Sequence, residues 1–202
     1  MCSLSGLYVG VNAGGWSRRW GGMDKALQFV EGRRLIEQVL QGFEAIPLLG
    51  VCVRSAQLSG WSELGYPLCI ESEALPGQGP LRGIYTLLLA LRQEQGEWLL
   101  LLPCDMPNVT TGVLQALIER QRRSGALCVS LRDSEDRDAM VALIHHSCAE
   151  SLYVFLQQGG CRYRDWLARI QATATVWRGR EEVLLNVNRP PNQLTSGYLD
   201  GV

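Results

Sequence analysis

Glycines and fixed positive charges crowd together near the start of the chain. Asn12, Ala13, Gly14 and Gly15 follow an apolar run, and Arg18, Arg19, Gly21, Gly22, Asp24 and Lys25 come close behind. Glycines directly after a strand let the backbone approach a ligand, and successive amides can form an anion-binding nest. The three cations add the charge that a polyphosphate needs when it leaves water. A flexible turn with solvated basic residues has the same composition. The spacing fits neither a GxxxxGK[ST] loop nor a GxGxxG fingerprint.

Three further segments could join such a site. Asp105 sits between Pro103-Cys104 and Met106-Pro107, at the end of a strongly apolar run. A carboxylate held there suits a Mg²⁺ ligand, although an Asx turn or a cap ahead of Thr110 would use the same residue. Gly77, Gln78, Gly79, Pro80, Leu81, Arg82 and Gly83 form a loop entering a helix, whose first amides favour phosphate or base edges. A plain loop-to-helix junction reads the same way. Asn186 and Asn188 alternate at the end of an apolar stretch and would share one face of a strand, unless they serve as turn residues.

The elements that must position these residues alternate between strand and helix patterns. Strands are expected over 6–11, 49–53, 68–70, 98–102 and 126–131, and helices at 35–43, 81–91 and 113–123. A charged loop spans 132–138. Further strands are expected at 140–144, 173–177 and 183–187, helices at 149–156 and 166–170, and a last short helix from Pro190-Pro191. This alternation predicts an α/β fold, a single three-layer domain with a mostly parallel, Rossmann-like sheet. Ligands bind such sheets at the carboxyl ends of the strands, here the loops after Val11, Ile70 and Leu102.

Bulk composition narrows the partners. A formal net charge of -1 over 202 residues gives no reason to expect nucleic acid or a membrane surface. No stretch is long and apolar enough to cross a bilayer, and the first residues lack the form of a signal peptide. The seven cysteines are odd in number and without CxxC spacing, so buried thiols in a reducing, cytoplasmic setting are expected rather than zinc.

Taken in register, these motifs resemble the molybdenum cofactor guanylyltransferase family. Its glycine loop, basic pair and Asp-Lys pair match Asn12 to Gly15, Arg18-Arg19 and Asp24-Lys25; its Gly-Pro-Leu-x-Gly loop matches 79–83. Its Pro-Cys-Asp-x-Pro motif matches 103–107, and its Asn-x-Asn-x-Pro end matches 186–190. The chain departs from the family at Asn12 (usually apolar), at Trp20 (usually Met), at Ser72 (usually acidic), at Arg54 or Ser55 (usually Asn) and at Arg189 (usually Thr).

The resemblance implies a nucleotidyltransferase that moves GMP from GTP to the terminal phosphate of molybdenum-molybdopterin, with Mg²⁺ as cofactor. It implies catalytic roles for Lys25, Arg19 and Asp105, with Asp105 holding the metal. Nucleotide contacts fall to Asn12, Ala13, Gly14, Gly15, Lys25, Arg54, Ser72, Gly79, Pro80, Leu81 and Asp105, and acceptor contacts to Asn186 and Asn188. The nucleotide half would lie at 1–125 and the acceptor half at 126–202. Cofactor-biosynthesis proteins and molybdoenzymes are the implied protein partners. Related cytidylyl- or sugar-phosphate transferases, and a nucleotide-binding relative without turnover, are the competing readings.

Overall fold

The structure, a computed structural model, describes residues 4–15, 23–75 and 79–187. Arg18, Arg19, Asn188 and the expected helix at Pro190-Pro191 lie outside the described residues.

Among the described residues, nine strands form two sheets. The main sheet holds β1 (Leu7–Asn12), β4 (Leu48–Val53), β5 (Leu68–Ile70), β6 (Trp98–Pro103), β7 (Cys128–Arg132), β8 (Asp138–His145) and β9 (Thr173–Val176), in the order β5-β4-β1-β6-β8-β7-β9. The remaining pair, β2 (Phe29–Val30) and β3 (Arg33–Arg34), makes a small hairpin. In the main sheet only β8 runs against its neighbours β6 and β7; every other pairing is parallel.

The run Trp98–Pro103 shows why the sheet needs cover on both faces. All six of its residues are buried. Side chains alternate between faces along a strand. Leu100 and Leu102 therefore enter one core with Val9, Val11, Ile36, Val39, Trp61, Val113 and Leu117. Leu99 and Leu101 enter the other with Leu81, Ile84, Leu87, Leu88, Leu152 and Trp166. The first core is covered by α1 (Leu35–Leu40), α2 (Leu58–Trp61) and α4 (Thr111–Ser124). The second is covered by α3 (Pro80–Gln93), α5 (Cys148–Gln157) and α6 (Tyr163–Arg169). Each such leucine is worth about 1.5–3 kcal/mol when taken fully out of water.

The α3 helix lies close against the end of β1. A Cβ on Gly83 would stand 2.3 Å from the Asn12 side-chain oxygen, so only glycine fits there. The Asn12 amide donates to the Pro80 carbonyl at 2.9 Å, which ties the last residue of β1 to the first turn of α3.

One expected element does not form. The apolar pattern predicts a strand over 183–187, but Glu181–Leu184 is a 3₁₀ helix followed by an extended tail. Its amides bond locally, Val183 N–H to Arg180 and Leu185 N–H to Glu182. Apolar residues favour a strand only where a free sheet edge runs alongside, and this segment instead crosses the end of β6. Two bonds hold it: Val187 N–H to the Asp105 carbonyl at 2.8 Å, and Asn108 Nδ2 to the Glu182 carbonyl at 3.0 Å. Among the described residues no helix is long and apolar enough to cross a membrane.

Candidate active site

β1, β4, β5 and β6 all point their carboxyl ends the same way, and the loops leaving them converge. The β1 loop leaves as Ala13-Gly14-Gly15, pinned by Ala13 N–H to the Cys52 carbonyl at 2.9 Å. The β6 loop leaves as Cys104-Asp105, pinned by Cys104 N–H to the Asn12 carbonyl at 3.3 Å. Neighbouring strands thus set the glycine turn and Asp105 side by side.

Lys25 reaches the same place from a short 3₁₀ turn, Lys25–Leu27. Its Nζ lies 2.8 Å from Asp105 Oδ2. Both side chains are largely buried, at 12% and 26% exposure, so the pair is shielded more than a surface ion pair. The two residues that the motifs single out as cation and carboxylate are brought together across most of the first half of the chain.

Asp24, next to Lys25, does different work. Its Oδ2 accepts from Trp61 Nε1 and from Gln57 Nε2, both at 2.7 Å, and its Oδ1 accepts from Ala26 N–H at 3.1 Å. Gln57 also donates to the Ala13 carbonyl at 3.2 Å. Asp24 is therefore the hub that holds the lysine turn against α2 and the glycine turn. Both of its oxygens are engaged by protein donors, whereas Asp105 meets Lys25 through Oδ2.

A divalent ion such as Mg²⁺ takes hard oxygen ligands and keeps several waters, relying on one or two carboxylates and substrate phosphates. Asp105 offers such an oxygen. Among the described residues no group of three or more His, Cys, Asp or Glu could enclose an ion. The donor set thus fits an ion that arrives with phosphate oxygens. Cys104 is not a competing ligand: burial, and then the adjacent Asp105 charge, push its thiol up to about 12, and the nearby Lys25 cation only partly offsets this.

The β4 and β5 loops bring Arg54 and Glu71. Glu71 follows β5 directly, with its N–H bonded to the Val53 carbonyl at 2.9 Å, and it is 6% exposed. Burial pushes its carboxyl upward, while the Arg82 and Arg54 cations pull it back in part. A carboxyl raised above 4.5 keeps its proton to higher pH in the folded chain than in the unfolded one. The folded state then binds more protons in that window, and stability falls as pH rises from 4.5 through the folded value. Glu71→Gln removes this titration. Its urea midpoint relative to the parent chain is expected to move in the variant's favour between about pH 4 and about pH 7; a pH-independent difference would count against it.

The remaining sequence candidates are spread around this centre. Gly79 caps the N-terminus of α3 and Pro80 opens its first turn, but the Leu81 side chain is fully buried in the core, so only its backbone faces the loop. Asn12 is 8% exposed and turned toward Pro80. Ser72 is exposed, and its carbonyl accepts from Arg82 Nη2. Asn186 is exposed beside Val187, which bonds to Asp105. The strand expected to carry it is absent, its place taken by the 3₁₀ turn Glu181–Leu184 and the tail beyond it, and Asn188 lies outside the described residues. His145 pairs with Trp98 at the opposite end of β6 from Asp105, remote from the site. The motifs do not mark Gln57, Trp61 or Arg82 as working parts. The adjacency of Asp24 to Lys25 is the only local hint of a hub.

Comparison with known proteins bears on the family and the fold. The MobA-like NTP transferase domain matches residues 10–175. A molybdenum cofactor guanylyltransferase from Shewanella woodyi is 27% identical over 180 residues, 89% of this chain and 90% of that one. One from Shewanella halifaxensis is 26% identical over 187 residues, covering 93% and 92%. Among solved structures, molybdopterin-guanine dinucleotide biosynthesis protein A from Archaeoglobus fulgidus superposes with a TM-score of 0.71 at 22% identity, over 91% of this chain and 93% of that one. The 4-diphosphocytidyl-2C-methyl-D-erythritolsynthase from Anaerococcus prevotii shares the fold at a TM-score of 0.64 and 10% identity, over 93% and 92%. With most of its length matched and its sheet shared, the chain belongs to the MobA-like NTP transferase family of nucleotidyltransferases.

Proposed function

We propose that the chain transfers GMP from GTP to the terminal phosphate of molybdopterin or its molybdenum-loaded form, and releases pyrophosphate. The observation that carries this reading is the Lys25–Asp105 pair beside the glycine turn, at the carboxyl ends of two adjacent parallel strands. The names of the curated relatives supply the guanylyl donor and the cofactor acceptor.

In the proposed reaction an oxygen of the acceptor's terminal phosphate forms a bond to the α-phosphorus. The bond from that phosphorus to the bridging oxygen breaks, and its electrons leave with pyrophosphate. A phosphate monoester has a second pKa of about 6 and is largely ionised near neutrality. No strong general base is needed, in keeping with a described site that holds no histidine. Catalysis then rests on positioning and charge. Amides near Gly14 and Gly15 approach the nucleotide, Lys25 and Arg19 neutralise phosphate charge, and Arg54, Ser72 and residues 79–81 border the base. Asp105 would hold Mg²⁺, which supplies Lewis-acid neutralisation when bound.

The acceptor side is assigned to the later part of the chain, with Asn186 and Asn188 as its polar contacts. Asn186 lies beside the backbone bond from Val187 to Asp105, which brings this segment to the edge of the site. Asn186→Ala is expected to weaken molybdopterin binding by about three- to tenfold while leaving GTP affinity within about twofold, as for the loss of one neutral hydrogen bond. Separate titrations with each ligand check this, and a loss confined to GTP would reverse the assignment.

The decisive experiment for the reaction is pyrophosphate release from each of the four nucleoside triphosphates, with and without molybdopterin and Mg²⁺. Release that depends on GTP and acceptor supports the proposal. Release from CTP instead moves the chain to a cytidylyl activity. GTP binding without release marks a non-catalytic relative.

A further inference from the structure

Beneath the glycine turn sits a charged trio, Glu71, Arg54 and Arg82, in which neither Glu71 nor Arg82 has yet been given a role. The Glu71 carboxylate is 6% exposed, and its Oε1 lies so close to Gly14 that a Cβ there would stand 2.1 Å from it. Its Oε2 is 4.0 Å from Arg82 Nε, and the Arg54 cation acts on the same carboxylate. Arg82 comes from the first turn of α3, is 17% exposed, and also donates through Nη2 to the Ser72 carbonyl. One carboxylate is thus in reach of the loops after β1, β4 and β5 and the start of α3.

An ion pair this far from water adds little net stability, because desolvation offsets the attraction. What it does set is direction. A carboxylate drawn toward Arg82 is kept against Gly14, and the turn resting on it has one height. That turn carries the amides proposed to meet the nucleotide, and an amide moved by an ångström loses most of a charge-assisted hydrogen bond.

We propose that Arg82 and Glu71 are a positioning pair that holds the 13–15 turn in its nucleotide-binding form and thereby sets affinity for the nucleoside triphosphate. This rests on the nucleotidyl-transfer reading of the site. Neither residue needs to touch the reacting atoms.

The test compares the parent chain with Arg82→Ala, Arg82→Lys, Glu71→Gln and the double variant Arg82→Ala with Glu71→Gln. Affinity is read by titration with a fluorescent guanosine triphosphate analogue, and turnover by pyrophosphate release. Arg82→Ala and Glu71→Gln should each weaken nucleotide binding and raise KM by on the order of tenfold, with kcat at saturation within about threefold. The double variant should be no weaker than the weaker single variant, because the two act as one unit. Arg82→Lys should recover part of the loss. If Arg82→Ala fails to fold, Arg82→Lys and Glu71→Gln carry the same comparison.

Folded variants with parental affinity overturn the inference, and so does a loss seen in Arg82→Ala but not in Glu71→Gln. A fall in kcat with KM unchanged also overturns it. A parent chain that binds no guanine nucleotide brings down the functional proposal itself, an outcome distinct from parental binding that the variants leave untouched.

Discussion

Asp105→Asn is expected to lower kcat by about 10³-fold or more while the chain stays folded. The motivation is its place at the end of β6 beside the glycine turn, whereas both oxygens of Asp24 are engaged by Trp61, Gln57 and Ala26. An amide keeps its shape but loses the charge that a divalent ion requires. Lys25→Ala, on the other side of the 2.8 Å pair, should cost on the order of 2–4 kcal/mol of transition-state stabilisation, by analogy with the loss of one charge-stabilising donor. The double variant should lose less than the sum, because the two side chains are in direct contact and each single change removes the same interaction. Single-turnover pyrophosphate release with circular dichroism of each variant checks both points. A folded Asp105→Asn chain with parental rates would remove Asp105 from the chemistry, and one that unfolds would make it a turn residue.

Asp24→Ala is expected to destabilise the chain by about 3–5 kcal/mol, because two buried donors, Trp61 and Ala26, and the half-buried Gln57 lose one common acceptor. It strands the indole N–H of Trp61, which is 1% exposed, and releases Gln57 and the Ala26 amide. Each buried group left without its partner costs about 1–3 kcal/mol. For a chain of this size that corresponds to a Tm lower by about 10 °C. Asp24→Asn retains one accepting oxygen and should fall between the two. Thermal unfolding followed by tryptophan fluorescence measures the series; equal Tm values across it would show that Asp24 is not the hub.

Most of the sheet was legible because its strands are continuous apolar runs. Leu68–Ile70 and Trp98–Pro103 stand out in this way, as does the buried stripe of α3. The β2–β3 hairpin was not, since strands of two residues are too short to show a period. Its one cue was Glu31-Gly32, both at positive φ, the geometry of a tight two-residue turn. Residues 183–187 failed in the opposite sense: apolar content looked like a strand, but the segment crosses the end of β6 instead of running along a sheet edge.

In the site, Lys25 and Asp105 were visible as types, whereas their pairing came only with the fold. In the sequence Glu71 stands out merely as the neighbour of Ser72. Its closeness to Gly14 and Arg82 depends on how β5 sits beside β4 and β1, which no local pattern encodes.

The strand order has a consequence for how the chain is made. β1 is synthesised first, yet one of its two edges waits for β6, with Leu7 pairing Trp98 and Asn12 pairing Pro103. Until then the emerging chain exposes an open parallel edge next to β4, and long-range parallel pairing is slow to form and prone to aggregation. The glycine turn acquires its neighbour Asp105 only after that edge closes, and Val187 docks on the Asp105 carbonyl later still. Nucleotide-binding competence should therefore appear abruptly and late during translation, and ribosome-bound chains stalled before β6 has emerged should show none.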